Sequence, residues 1–154
     1  QADAQAHAVA GQFQATLDQN DVDAVSRPLA SVLRGKVPAI FEGLTPYDPN
    51  ARDIMFGSTD VADVSWITPT VQAWVACYAF GTPLHSWQMV SQGQSGLAHT
   101  GMVHAAKILT ATAVELFAQP ELLERAKEEL LQRREGKPYV CPIPAEVALP
   151  FLRK

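Results

Sequence analysis

Val71-Gln72-Ala73-Trp74-Val75-Ala76-Cys77-Tyr78-Ala79-Phe80 is the stretch on which the fold assignment turns. Apart from Gln72, both alternating faces of this run are apolar or aromatic, as in a strand covered on both sides. Helix is the competing reading for so apolar a run. The Val and aromatic content and the stop at Gly81 favour a strand. The expectation is therefore a buried strand in a mixed α/β layer. The run leads into Gly81-Thr82-Pro83-Leu84-His85-Ser86-Trp87, which sets one imidazole where the strand gives way to a loop. In open α/β sheets, ligands bind at the carboxyl ends of strands. His85 is thus a candidate metal ligand or proton carrier, although a histidine hydrogen-bonded to backbone fits the same position.

Upstream, Asp53 to Phe56 reads as a short buried strand, ending in a second marker, Gly57-Ser58-Thr59-Asp60-Val61. Prolines 38, 46 and 49 prescribe an irregular crossing from Val37 to Asn50, with Phe41, Leu44 and Tyr47 as its anchors. Earlier still, Ala6, Val9, Ala10, Phe13 and Leu17 form one face of an amphipathic helix from about Ala4 to Leu17. His7 lies off that stripe and reads as a solvated residue. Asp21 is placed to cap a second helix carrying Val22, Val25, Leu29 and Leu33, limited by Pro28 and stopped at Gly35.

Downstream, Gln88 to Gly96 is polar and glycine-containing and reads as a loop. Leu97 to Phe117 is then a long helix, with Met102, Ala105, Ala106, Leu109, Ala113 and Leu116 toward the core. Its small residues permit close packing on a sheet. His99 and His104 fall in its first turns; both suit a metal or substrate contact, and both suit a hydrogen-bonded helix histidine. The latter is favoured for His104, and His99 stays open. Pro120 opens a last helix at the position proline tolerates best, with a stripe of Leu122, Leu123, Ala126, Leu130 and Leu131. Glu121 with Arg125, and Glu129 with Arg133, are favourably oriented pairs. Gly136 ends this helix, and Tyr139 to Phe151 is a proline-studded surface tail.

The 154 residues suit one domain with a real core. With 47% hydrophobic and 18% charged residues, the chain is globular and not disordered. A net charge of -4 argues against nucleic acid as a partner. Cys77 and Cys141 form no CxxC pair; Cys77 packs as a small hydrophobe, and the expected setting is reducing and cytoplasmic. No signal peptide and no continuous apolar stretch long enough for a bilayer is read, so no membrane partner is expected. Gln1-Ala2-Asp3-Ala4, without an initiator methionine, looks like the start of a piece cut from a longer chain.

The residues with chemistry are Asp60, Asp63, His85 and His99. Zinc centres take three or four protein ligands, so one histidine with one or two carboxylates is half a site. A self-standing mononuclear centre would need His99 and an aspartate to join His85. Neither HExxH, a P-loop nor a GxSxG elbow occurs. Ser86 beside His85 is no nucleophile–base pair, since neighbouring side chains on an extended chain point apart.

Gly57-Ser58-Thr59-Asp60-Val61, then His85-Ser86, then a helix beginning near His99 resembles the carboxy-terminal part of the M20 metallopeptidase/amidohydrolase family. There a G-S-E-D-F element precedes an H-S-P element whose histidine binds one metal of a pair. Gly57 through Trp66, Gly81 through Gln88 and Val140-Cys141-Pro142-Ile143-Pro144 resemble, more narrowly, the branch of that family that acts on aminobenzoyl-glutamate. The resemblance implies a portion of a doubly wound α/β catalytic domain, its buried strands covered by helices. Residues 1–36 would be a helical return from an inserted domain, and 37–154 a strand/helix core and tail. It implies His85 as a metal ligand, with Asp60, Trp87 and His99 on the substrate. Thr59 stands where the family has its first acidic residue, and Trp87 replaces the proline of H-S-P, where its indole suits an aroyl group. The implied reaction is hydrolysis of N-acyl or N-aroyl amino acids, p-aminobenzoyl-glutamate among them, by two divalent metals, zinc or manganese. The other ligands and the catalytic glutamate would lie in an amino-terminal half. The partners implied are that half, a small N-acyl amino acid, and further subunits of a homo- or hetero-oligomer. The 154 residues alone are expected to be inactive, with an apolar face or sheet edge left open. A non-catalytic binding or assembly domain retaining the fold is the rival reading.

Overall fold

The computed structural model describes residues 2–48 and 59–147. Asp3 caps the first helix, α1 (Ala4–Gln14), its carboxylate accepting from the Ala6 N–H at 2.8 Å. The second, α2 (Gln19–Ser26), starts at Asp18 and not at Asp21, because the Asp18 carboxylate accepts from Asn20 N–H at 2.7 Å. Pro28 does mark a restart. It sits in a 3-10 turn, Arg27–Leu29, from which α3 (Ala30–Leu33) continues and ends at left-handed Arg34 and Gly35. After the proline-rich crossing come α4 (Val61–Ile67) and α5 (Trp87–Gln92), followed by α6 (Gly96–Ala118) and α7 (Pro120–Arg134).

No strand occurs among the described residues, so the expected α/β doubly wound fold is not what this chain adopts. Within 71–80 the backbone has no helical or ladder structure. Val71 is 77% and Trp74 65% exposed, and only Ala79 and Phe80 are buried. A strand exists by virtue of the ladder it shares with a neighbour, and no described segment supplies one. Phe80 N–H donates instead to Ala39 O at 2.8 Å. The other expected strand, Asp53–Phe56, and the Gly57-Ser58 end of its marker lie outside the described residues, as does the tail from 148 on.

Two compact units divide the chain: Gln1–Arg52 with Ala73–Thr112, and Asp53–Gln72 with Ala113–Lys154. The buried core belongs to the first. Ala10 of α1, Ile40 of the crossing, Ala79 and Leu97 of α6 pack together, with Phe13, Ala39 and Ala76 against them. Phe41 anchors the crossing through its ring, whose centroid lies 6.1 Å from that of Phe80. Leu44 and Tyr47, expected as anchors, are 90% and 84% exposed; Ile40 does that work. Gln14 Nε2 donates to Pro38 O and to Phe80 O, tying α1 to both segments. His7 is paired rather than simply solvated, its Nε2 lying 3.2 Å from Glu42 Oε2. The Ala2 N–H, with His7 beside it, holds the Glu42 carboxyl below its ordinary range.

Close packing of α6 does occur, against an irregular segment in place of a sheet. A Cβ on Gly101 would meet Ala76 O and lie 2.6 Å from Cys77 Sγ. The outer face of α6 is open: Met102 and Leu109, expected in the core, are 60% and 61% exposed. At 23 residues, with an 18-residue window of mean hydropathy 1.2, α6 is long and apolar enough to cross a membrane by length and composition alone, although polar residues interrupt its apolar run. In the second unit, α7 has Pro120 in its first turn and ends at left-handed Glu135 and Gly136. Arg133 pairs with Glu129, and Lys127 with Glu124. Tyr139 returns from the tail to α4, its hydroxyl donating to Asp63 Oδ1 at 2.9 Å.

Candidate functional site

The turn that carries His85 is built from both directions. Gly81 has a φ of +89°, and a Cβ there would come 2.9 Å from Val22 Cγ2, so the chain turns under α2 where a side chain has no room. Thr82 is buried, its hydroxyl donating to Ala79 O at 2.7 Å. Ser86 closes the other end. Its hydroxyl donates to Pro83 O at 2.8 Å and accepts from Met89 N–H at 3.1 Å, capping α5.

His85 sits between these fixed residues with a φ of +60°. Left-handed backbone is uncommon outside glycine, although histidine is among the residues enriched there. Its side chain is exposed and has no hydrogen-bond or ion-pair partner among the described residues. Strain of this kind, kept on an exposed imidazole with no hydrogen-bond or ion-pair partner among the described residues, is a pointer to function. Trp87, the first residue of α5, is 61% exposed.

His99 is also exposed. With Thr100, Val103, His104 and Lys107 it lines a shallow depression of about 330 Å³ on α6, to which His85 and Trp87 contribute nothing. A second cavity of about 450 Å³ lies between α1 and the start of α6, bordered by Asp3, Val9 and Leu97. Asp60, exposed at the start of α4, belongs to the other unit and makes no capping bond. Asp63 is taken up by Tyr139, and that hydrogen bond is the chief reason the Tyr139 phenol is pushed up to about 12. Burial pushes the Cys77 thiol up, away from the thiolate that reactivity needs, in keeping with a packing role.

No cluster of three His, Cys, Asp or Glu side chains occurs among the described residues. One imidazole replaces little of a cation's hydration, so these residues do not by themselves fit a metal centre. The self-standing mononuclear reading has no ligand set here.

Sequence reasoning missed Gln92 and Thr82, which brace the turn from beneath. Gln92 is 2% and Thr82 5% exposed. The segment holding Gln92 reads as a polar loop and is in fact helix α5. Ser86 followed by the apolar residues Met89 and Val90 was the available start signal.

No family model matches the chain, and no solved structure matches it significantly. The chain is, however, similar to a component of a hydrolase. That relative is one of the subunits of the p-aminobenzoyl-glutamate hydrolase of Escherichia coli (strain K12), 40% identical over 149 residues. The alignment takes in 91% of this chain and 31% of the relative, so the chain spans about a third of that protein's length. The aminobenzoyl-glutamate resemblance read from the motifs is borne out.

Proposed function

We propose that the chain is the carboxy-terminal portion of a hydrolase subunit that cleaves the amide of p-aminobenzoyl-glutamate or a close N-acyl amino acid. The observation that carries this is the 40% identity spread over 91% of the chain, in a relative named for that reaction. The M20 class is proposed on the same motifs, Gly81 through Gln88 above all.

Amide hydrolysis needs a group that polarises the carbonyl and a base for the attacking water. The described residues assemble neither. Their proposed share is His85, offered on a braced turn as one ligand to a zinc or manganese centre whose other ligands lie in the remaining two thirds of the subunit. Trp87, His99 and Asp60 are proposed as substrate-contacting residues on the motif resemblance. The open apolar side chains of α6, with Trp74, suit coverage by that remainder. The 154 residues alone are inactive on this reading. The two unpaired cysteines suit a reducing compartment.

The test is hydrolysis of p-aminobenzoyl-glutamate by the chain alone, by the longer subunit, and by the longer subunit carrying His85→Ala, each with metal content measured. Turnover by the longer subunit only, with loss of both turnover and bound metal in the variant, is the expected pattern. Turnover by the chain alone, or full activity in the variant, overturns the proposal. A folded longer subunit with no turnover and no metal, even with the other subunits of its hydrolase supplied, would favour the binding or assembly reading.

A further inference from the structure

Gln92 is a polar side chain buried to 2% exposure in a helix of six residues. Such a group is costly to bury unless its hydrogen bonds are made, and here they are. Its Oε1 accepts from Ala79 N–H at 2.7 Å. Its Nε2 donates to Thr82 Oγ1 at 3.2 Å and to Gln88 O at 3.0 Å. Thr82 Oγ1 in turn donates to Ala79 O at 2.7 Å. The bonds form a closed ring that begins and ends on Ala79. One amide hydrogen of Gln92 and the hydroxyl hydrogen of Thr82 are used in it, and the other amide hydrogen of Gln92 goes to Gln88 O.

The ring gives the buried Ala79 N–H an acceptor, which an apolar side chain of similar shape could not. What the ring adds besides is position. It ties the far end of α5 to the residues just before the turn, while Ser86 ties the near end to Pro83 and Met89. His85 is enclosed in a loop held at both ends, and its own side chain has no hydrogen-bond or ion-pair partner among the described residues.

We infer that Gln92, acting through Thr82, is the positioning residue that fixes where His85 presents its imidazole. The inference rests on the reading of His85 as the side chain this unit offers to the hydrolytic site. Gln92 touches neither the imidazole nor solvent; it acts through the backbone of the turn. Misplacing a reacting group by about 1 Å costs on the order of 100-fold in rate, so bracing of this kind carries weight in a site shared between two portions of a protein.

The variants are Gln92→Met, Thr82→Val, which keeps the shape and removes the hydroxyl, and Thr82→Ser, which keeps the hydroxyl. In the chain itself, the His85 imidazole resonances and the hydrogen exchange of the Ala79 amide are followed by NMR. Gln92→Met and Thr82→Val are expected to broaden or split the His85 signal and to speed Ala79 exchange at least about tenfold. Thr82→Ser is expected to restore both, with His7, His99 and His104 unmoved throughout. A sharp, unshifted His85 signal in Thr82→Val overturns the inference, whatever the variant does to the melting temperature. Should Gln92→Met fail to fold, the Thr82 pair still decides it. In the longer subunit, Thr82→Val is expected to lower kcat with KM little changed, and unchanged kcat also overturns the inference. Full activity of His85→Ala there would sink the proposed function, while the resonances would still report whether Gln92 places His85.

Discussion

His85 keeps a left-handed backbone that costs an L-residue roughly 1–2 kcal/mol and, among the described residues, its side chain makes no hydrogen bond or ion pair to offset the cost. Two stability changes are expected from that combination. His85→Gly should stabilise the chain by about 1 kcal/mol, because glycine adopts this conformation freely. His85→Ala should leave stability within about 0.5 kcal/mol, as exposed substitutions usually do. Urea denaturation checks both, and a loss of about 3 kcal/mol in either variant would expose a structural role for the imidazole. Tyr139 is the second residue whose setting can be read out. The hydrogen bond to Asp63 raises its pKa from 10.0 to about 12, which favours the neutral phenol in the folded chain. A raised folded pKa gives stability that is fully present below about pH 10 and is lost as pH climbs toward 12. Tyr139→Phe should therefore lose less melting temperature across that window than the parent chain does. An identical slope in the two would show that the tail is not held through this bond. Position is why His85 was legible in the sequence and Gln92 was not. A histidine after an apolar run and a glycine is conspicuous, whereas a buried glutamine looks like any other until its partners at Ala79 and Thr82 are known.

At the scale of elements, legibility followed length. The helices α1, α6 and α7 have 11, 23 and 15 residues, enough turns to show a stripe or clear end signals. With six residues, α5 completes fewer than two turns and carries no such stripe, so it reads as loop; α4, with seven, likewise shows no stripe and takes no assignment from the sequence. The run Val71–Phe80 misled for a different reason. Apolar residues on both faces report that a segment is suited to being covered; they do not create the neighbour that makes it a strand. What the segment does have is α6, at one point of close approach. Gly101→Ala places a methyl group against Ala76 O and within 2.6 Å of Cys77 Sγ. The sulfur could rotate away, but the Ala76 carbonyl and the Cys77 Cα, 3.1 Å from the new methyl, cannot clear without moving backbone. Overpacking of this kind costs about 1–3 kcal/mol, and alanine's better helix propensity recovers at most about 1 kcal/mol of it. A net loss of stability is expected by urea denaturation, with Cys77 becoming more reactive toward a thiol reagent. An unchanged or higher stability would mean that α6 and 76–77 do not hold one another at this distance.

Across the whole molecule the imbalance is between what is apolar and what is covered. The buried apolar residues among those described are Ala10, Val22, Ile40, Ala79, Phe80 and Leu97, all in the first unit. Met102, Leu109, Val114 and Phe117 along α6 are 60–86% exposed, as is Trp74 at 65%. Soluble monomers rarely leave contiguous apolar patches of more than a few hundred Å² open, so a surface of this character calls for a cover. Two covers compete, the proposed remainder of the subunit and a lipid bilayer, and the charges on α6 separate them. His99, His104, Lys107 and Glu115 interrupt the helix. Lys107 falls near its middle, where a bilayer charges about 2.5–3.5 kcal/mol for an uncompensated lysine, whereas a protein surface can meet it with a carboxylate. The chain alone should therefore bind an apolar dye such as anilinonaphthalene sulfonate and self-associate as concentration rises. Supplying the remaining portion of the subunit in trans should reduce the dye signal and give a one-to-one complex by light scattering. Neutral phosphatidylcholine vesicles should recover little of the chain on flotation. Should the chain float with the vesicles and fail to join the remainder, the apolar face of α6 belongs to lipid, and the proposed two-part site around His85 loses the surface that would bring its halves together.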